Sequence, residues 1–269
     1  MEFRKFLAFL RRDFQAALSY KFAFFLNIIG IFVSVVTFYF IARIFGKGAS
    51  PYLSEYGGEY FPFVLLGIAF SGYFSTALRS FASTVRGEQF LGTLEAMLIT
   101  PTRISTIILA SSLWDFLFAS VNVFIYLFFG VRFFGLTLFH PNFLLAGIIL
   151  ILTVICFSGI GIISAGFIMI FKKGDPITWL ISTFSALVGG VYFPVKVLPE
   201  GVQKLSAFVP LTYSLHSLRL VLLQGAGFDK IISDLCILLV LALALLPIGI
   251  FFFSFAVKRA KMEGSLVHY

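Results

Sequence analysis

The chain has 269 residues, of which 60% are hydrophobic and 12% charged, with a formal net charge of +8. Ordinary soluble domains carry about 25% charged residues, so water is excluded as the main solvent. The Lys and Arg residues stand in short clusters beside apolar runs rather than in one basic stripe, which excludes nucleic acid as a partner.

The apolar blocks run to about 18 residues or more and lack the strict alternation of a membrane β-strand, so the reading is an all-α integral membrane protein. Residues 1–21 put Phe3, Phe6, Leu7, Leu10, Phe14, Ala17 and Leu18 on one helical face and Arg4, Arg11, Arg12 and Gln15 elsewhere. That pattern predicts an amphipathic helix lying in the membrane interface. The apolar run after it is longer than the roughly 7–15 residues of a secretory signal, so it reads as a retained span.

Six transmembrane helices are predicted, at about 22–44, 59–80, 104–129, 143–171, 177–195 and 232–257, each matched to about 30 Å of hydrocarbon. An even number of spans puts both termini on one side. That side holds thirteen of the twenty Lys and Arg residues, and because basic residues are retained inside, both termini are expected in the cytoplasm of a multi-pass protein.

Between the second and third spans stands GEQFLGTLEAMLITPTR, Gly87 to Arg103. Phe90, Leu91, Leu94 and Leu98 recur at helical spacing, Glu88, Gln89, Thr93 and Glu95 lie off that stripe, and Pro101 stops the pattern. A short two-faced helix over 87–101 is expected on the cytoplasmic side. Two acidic residues disfavour an anionic leaflet and favour insertion into the groove of a protein partner.

In KKGDPITWL, Asp175 suits an N-cap and Pro176 the first helical position, so a helix is expected to start there. From Lys196 to Leu223 the chain is half apolar and broken by Pro199 and Pro210, after Pro194 just before it. Re-entrant outer helices over 196–223 are the expectation.

No P-loop, H-E-x-x-H or G-x-S-x-G pattern occurs and no paired carboxylates lie in the spans, so no catalytic residues are assigned. Cys156 and Cys236 read as small core side chains, and Gly161 and Ala165 as small residues that let helices approach. His140, His216 and His268 read as residues without a partner, and no metal site is expected. Asp115 has two readings, a proton or cation site and a structural carboxylate that bonds a neighbour or meets a vestibule near the inner interface.

The segment E-x-x-x-G-T-L-E-A-M-L-I-T-P-T-R resembles the loop signature of ABC type-2 transporter permeases. GGVYFPVKVLPEGVQKLSAFVPLTYSLHSLR resembles the segment after the fifth span in that family. The resemblance implies the ABC type-2, or type V exporter, transmembrane fold, with an interfacial entry helix, a cytoplasmic coupling helix and re-entrant outer helices in one domain over 1–269. It implies that Glu88, Phe90, Leu91, Gly92, Thr93, Leu94, Glu95, Leu98, Thr100 and Pro101 form the helix that docks on an ATPase. It further implies two copies of a separate ATPase subunit, which holds ATP and Mg while this chain carries no cofactor, and a second permease protomer forming a homodimer. The pathway between protomers would pass Phe70, Tyr73, Phe74, Asp115, Phe184, Tyr192 and Phe193. The implied function is a permease subunit exporting an amphiphile, a drug, lipid or lipid-linked glycan, across the cytoplasmic membrane of a prokaryote. The alternative readings are an ion-coupled secondary transporter using Asp115 and a membrane scaffold without transport.

Overall fold

The computed structural model describes residues 11, 14–15, 19–45, 50–90, 104–171 and 176–262. Along them the backbone is almost wholly helical, the form in which an apolar segment satisfies its own amides without water. The helices are α1 (Lys21–Phe45), α2 (Ser50–Leu53), α3 (Tyr60–Phe90), α4 (Ile104–Phe134), α5 (Phe143–Phe171), α6 (Pro176–Val188), α7 (Glu200–Ser206), α8 (Pro210–Leu223) and α9 (Phe228–Met262). Single 3-10 turns cover Ser54–Tyr56 and Val195–Val197. Asn142 caps α5, its side-chain oxygen accepting from the Leu145 amide at 3.1 Å.

Among the described residues, α1, α3, α4, α5 and α9 are long and apolar enough to cross a membrane. The fifth expected span, 177–195, is corrected: α6 has 13 residues and ends at Val188. At about 1.5 Å per residue such a helix falls short of a 30 Å hydrocarbon layer. Gly189 follows it and Gly190 has φ +80°, a left-handed conformation that glycine adopts without penalty, so the chain turns instead of continuing. In the 196–223 stretch, α7 and α8 meet at 86°, and neither is long enough to cross on its own.

At the centre lies α5, packed against α9 on one side and α3 on the other. Both contacts are made through glycine. A Cβ at Gly159 would stand 2.6 Å from the carbonyl carbon and oxygen of Leu245 in α9, and one at Gly161 would stand 2.5 Å from the Ala77 carbonyl of α3. Lipid tails are as apolar as Leu, so close backbone approach, not expulsion of water, holds such helices together. Phe74 and Phe157 fill the space between α3 and α5, with ring centroids 4.8 Å apart. Cys156 is buried in α5, whereas Cys236 is exposed on α9 and not part of the core.

Against this core, α1 is peripheral. It meets α4 through a hydrogen bond from the Asn27 side-chain amide to the Asn122 side-chain oxygen, at 2.7 Å. Ring pairs Phe24–Phe118 and Phe32–Phe129 flank that bond. The bundle therefore has two ends. One is where α3 runs past Arg86, and the other gathers residues 50–59, the α6–α7 turn, α8 and the start of α9.

Candidate functional site

Three places hold the polar residues that an apolar bundle has to justify. At the Arg86 end, α3 leaves its apolar stretch, Tyr60–Ser83, and continues unbroken as helix through Phe90. Glu88 and Phe90 thus sit on the last turn of a long helix and do not open a separate short one at Gly87. Leu91, Gly92, Thr93, Leu94, Glu95, Leu98, Thr100 and Pro101 lie outside the described residues. The segment that holds them starts from one 31-residue helix and ends at another, α4.

The residues expected along a pathway are not gathered on one surface. Phe70 and Phe74 are buried in the core of the chain, Phe74 at 1% exposure. Tyr73 shares a hydrogen bond with the Ser120 hydroxyl, joining α3 to α4. Phe184 is exposed on α6. Tyr192, on the turn after α6, stacks on Phe38, and its carbonyl accepts the Tyr60 hydroxyl at 2.9 Å. Phe193, beside it, is half-buried. Asp115 is half-buried on α4, its Oδ2 accepting the Ser80 hydroxyl of α3 at 2.6 Å. It also lines a cavity of about 820 Å³ between α4, α1 and Phe14.

At the opposite end lies a polar cluster that the sequence reading missed. His216 of α8 is corrected from a residue without a partner to the centre of an ionic chain. Its Nδ1 is 2.6 Å from Asp234 Oδ2 of α9, and its Nε2 is 3.1 Å from Glu55 Oε1. The Lys196 ammonium donates to the other Glu55 oxygen at 2.7 Å, and the Ser217 hydroxyl donates to Asp234 Oδ2 at 2.8 Å. The chain thus ties the 54–56 turn, the 195–197 turn, α8 and α9 around a cavity of about 260 Å³. Polar residues at 212, 214, 216, 217 and 219 in a half-apolar helix were the available signal, together with a carboxylate near the start of the last span.

One turn along α8, Arg219 is 2% exposed. Its Nε, Nη1 and Nη2 donate to the carbonyls of Phe63, Gly190 and Val191 at 3.1, 2.9 and 3.1 Å. The guanidinium lies 3.4 Å from the centroid of the Phe63 ring, a cation–π contact in a desolvated place. Arg219 is thus a clamp on the turn that ends α6. Burial pushes the neighbouring Tyr56 hydroxyl up to about 12, so it stays protonated beside the ionic chain.

The ionic chain has a pH signature. The hydrogen bond to Asp234, opposed by burial and aided by Glu55, raises His216 above its ordinary 6.5. The fold therefore binds that proton more tightly than the unfolded chain does. Its contribution is complete below 6.5 and lost as pH rises through the raised value. The hydrogen bond from Lys196, against the opposing effect of burial, lowers Glu55 below 4.5, a contribution present above 4.5 and lost as pH falls through the lowered value. The groups facing His216 are Asp234, Glu55 and, edge-on, the Tyr56 ring, with Lys196 bound to Glu55 behind them. The thermal midpoint of the solubilised protein is expected to fall between a buffer just below 6.5 and one well above it, and His216→Gln to flatten that fall. An unchanged slope in the variant would take His216 out of the account.

The described residues thus form long helices packed through glycine and a folded polar end after α6. Residues 4–223 match the family described as ABC-2 type transporter. The chain belongs to this family. The Inner membrane transport permease YadH of Escherichia coli (strain K12) and that of Shigella flexneri are each 25% identical to it over 193 residues, 70% of this chain and 72% of the relative. As an ABC-2 transporter, the chain is a multi-pass transmembrane subunit that works with an ABC ATPase subunit. The family match ends at Leu223, the last residue of α8. His216 and Arg219 lie inside it, while α9, with Asp234, lies beyond.

Proposed function

We propose that this ABC-2 transporter is the permease subunit of an ATP-driven exporter in the inner membrane of a prokaryote. It moves an amphiphile, a drug, lipid or lipid-linked glycan, while two copies of a separate ATPase subunit hold ATP and Mg. The observation that carries the reading is the family match over residues 4–223, on a chain without a P-loop of its own. The inner membrane is supported by the names of the two relatives and by the basic bias, which assigns the Arg86 end and both termini to the cytoplasm.

On this reading residues 87–101 couple the ATPase to the bundle. Because α3 stays helical through Phe90, a push on that segment acts on a rigid rod and not on a slack loop, and rigid elements transmit displacement. Phe90, Leu91, Leu94 and Leu98 anchor the segment in a cleft of the ATPase, and Glu88 and Glu95 orient it. Two protomers form a homodimer with the pathway between them. Phe184, exposed on α6, faces it, and Phe70 and Phe74 back it from within the core.

The test is co-purification with the ATPase. Leu94→Asp removes an anchor of the kind worth about 2 kcal/mol or more, so binding should weaken about thirtyfold, while the variant inserts as wild type does. Glu95→Ala should keep the complex but lose substrate-stimulated ATP hydrolysis. A double variant that binds the ATPase and transports at the wild-type rate would overturn the coupling role.

A further inference from the structure

The helices on either side of residues 91–103, α3 and α4, are fastened to each other at three levels. Near the Arg86 end, the Ser80 hydroxyl of α3 donates to Asp115 Oδ2 of α4 at 2.6 Å. Farther from that end, Tyr73 of α3 shares its hydrogen bond with Ser120 of α4, whose hydroxyl also donates to the Phe116 carbonyl at 2.9 Å. Toward the opposite end, Leu65 of α3 takes the space of a side chain at Gly130 of α4, where a Cβ would stand 2.4 Å from the Leu65 Cδ2. The three fixtures follow one antiparallel register, each step back along α3 answered by a similar step forward along α4. Apart from α3, the main neighbour of α4 is the peripheral α1. Its route to the core therefore runs through α3, which meets α5 at the Ala77 carbonyl and Gly161.

Two helices in lipid that touch through apolar side chains alone can turn or slide, because one apolar contact replaces another at little cost. A hydrogen bond with fixed partners forbids that. Ser80 is 2% exposed, so its hydroxyl is committed to the inside of the protein. A carboxylate at membrane depth is costly, and a neutral acceptor at position 115 would avoid the cost. What the carboxylate adds is strength, since a bond to a charged acceptor is roughly twice as strong as one between neutral groups.

We propose that Ser80 and Asp115 are positioning residues for transport. Their bond, with Tyr73–Ser120 farther along, locks α3 and α4 into one rigid unit, so that a displacement of the segment between the two helices reaches the core and is not lost as slip. This rests on the coupling role of residues 87–101, and the experiment is built to tell the failure of one from the failure of the other.

Paired spin labels are placed at Arg86 of α3 and Leu117 of α4 to read the joint, and at Phe133 of α4 and Phe228 of α9 to read whether motion arrives at the opposite end. All four positions are exposed. The background carries Cys156→Ser and Cys236→Ser, and labelled permease is diluted with unlabelled permease before reconstitution with the ATPase. Trapping with ATP and vanadate should shift the second distance and leave the first narrow and unchanged. Ser80→Ala should keep co-purification with the ATPase and basal ATP hydrolysis, broaden the first distance and lose the shift in the second. Asp115→Leu should repeat the effect of Ser80→Ala on both distances, and Asp115→Asn, which keeps an acceptor oxygen, should retain part of the shift. A narrow first distance with a full shift in Ser80→Ala would overturn the proposal. So would a lost shift in Asp115→Asn beside a wild-type shift in Ser80→Ala, the mark of a proton or cation site. Trapping that moves neither pair before any change at Ser80 or Asp115 would strike at the coupling role of residues 87–101, whereas the broadening in Ser80→Ala is read without the ATPase and answers for the joint by itself.

Discussion

Arg219→Met is expected to unfold the end of the bundle that holds α7 and α8, and Arg219→Lys to rescue it only in part. The guanidinium is 2% exposed and places three donors on three carbonyls belonging to two separate parts of the chain, Phe63 in α3 and Gly190 and Val191 after α6. The two turn carbonyls have no helix to satisfy them. Leaving each buried without a donor costs about 1–3 kcal/mol, so roughly 2–6 kcal/mol for the pair, a large share of the about 5–15 kcal/mol that keeps a domain folded. Lysine keeps the charge but lacks the planar fork that reaches several acceptors at once. The space is built for this side chain, since a Cβ at Gly67 would stand 2.2 Å from the Val191 carbonyl oxygen and 2.6 Å from Nη2 of Arg219. Limited proteolysis between Gly189 and Pro199, with the thermal midpoint of the purified protein, reads the effect. Wild-type resistance in Arg219→Met would show that the turn is held by packing alone.

Gly159→Val is expected to be the most damaging single change in the spans. Around Gly159 there is backbone on every near side: the Leu245 carbonyl group at 2.6 Å and the Leu246 amide nitrogen at 2.8 Å from an added Cβ, while a Cβ at Gly249 would meet the Gly159 carbonyl oxygen at 2.4 Å. Overpacking against movable side chains costs about 1–3 kcal/mol. Here the obstacle is helix backbone, so α5 and α9 have to separate along their length, and the variant should fail to accumulate as a monodisperse protein. Gly147 on the same helix has nothing within 4 Å of an added Cβ. Gly147→Ala should therefore be neutral or gain up to about 1 kcal/mol from helix propensity. Equal behaviour of the two variants in fluorescence-detected size-exclusion chromatography would contradict the central place of the α5–α9 contact.

Much of this protein is decided by local chemistry. Runs such as FLLAGIILILTVICFSGIGIISAGFIMIF have no polar face, so they become helices in lipid whatever their neighbours do, and four of the expected spans start within four residues of α1, α3, α5 and α9. The third expected span begins where α4 begins, at Ile104, and stops five residues short of it at Phe134. The smallness of Gly161 and Ala165 was legible in the same way, because a missing side chain is a property of one position. What the sequence alone left open are facts about rotation and meeting. Hydropathy did not show that α6 stops at Val188, because the Gly189–Gly190 turn is held by an arginine on α8, 29 residues further along. Glu55 and His216 are 161 residues apart, and only the packing of α8 beside the 54–56 turn and α9 makes them partners. The same holds for Lys21 and Asp115, which line one cavity because the Asn27–Asn122 bond and the ring pairs beside it dock α1 on α4. A sequence states the polarity of each position, whereas pairing depends on which faces of distant helices turn toward one another. In a bundle so uniformly apolar, with many faces equally able to meet lipid or protein, only the tertiary structure makes that choice.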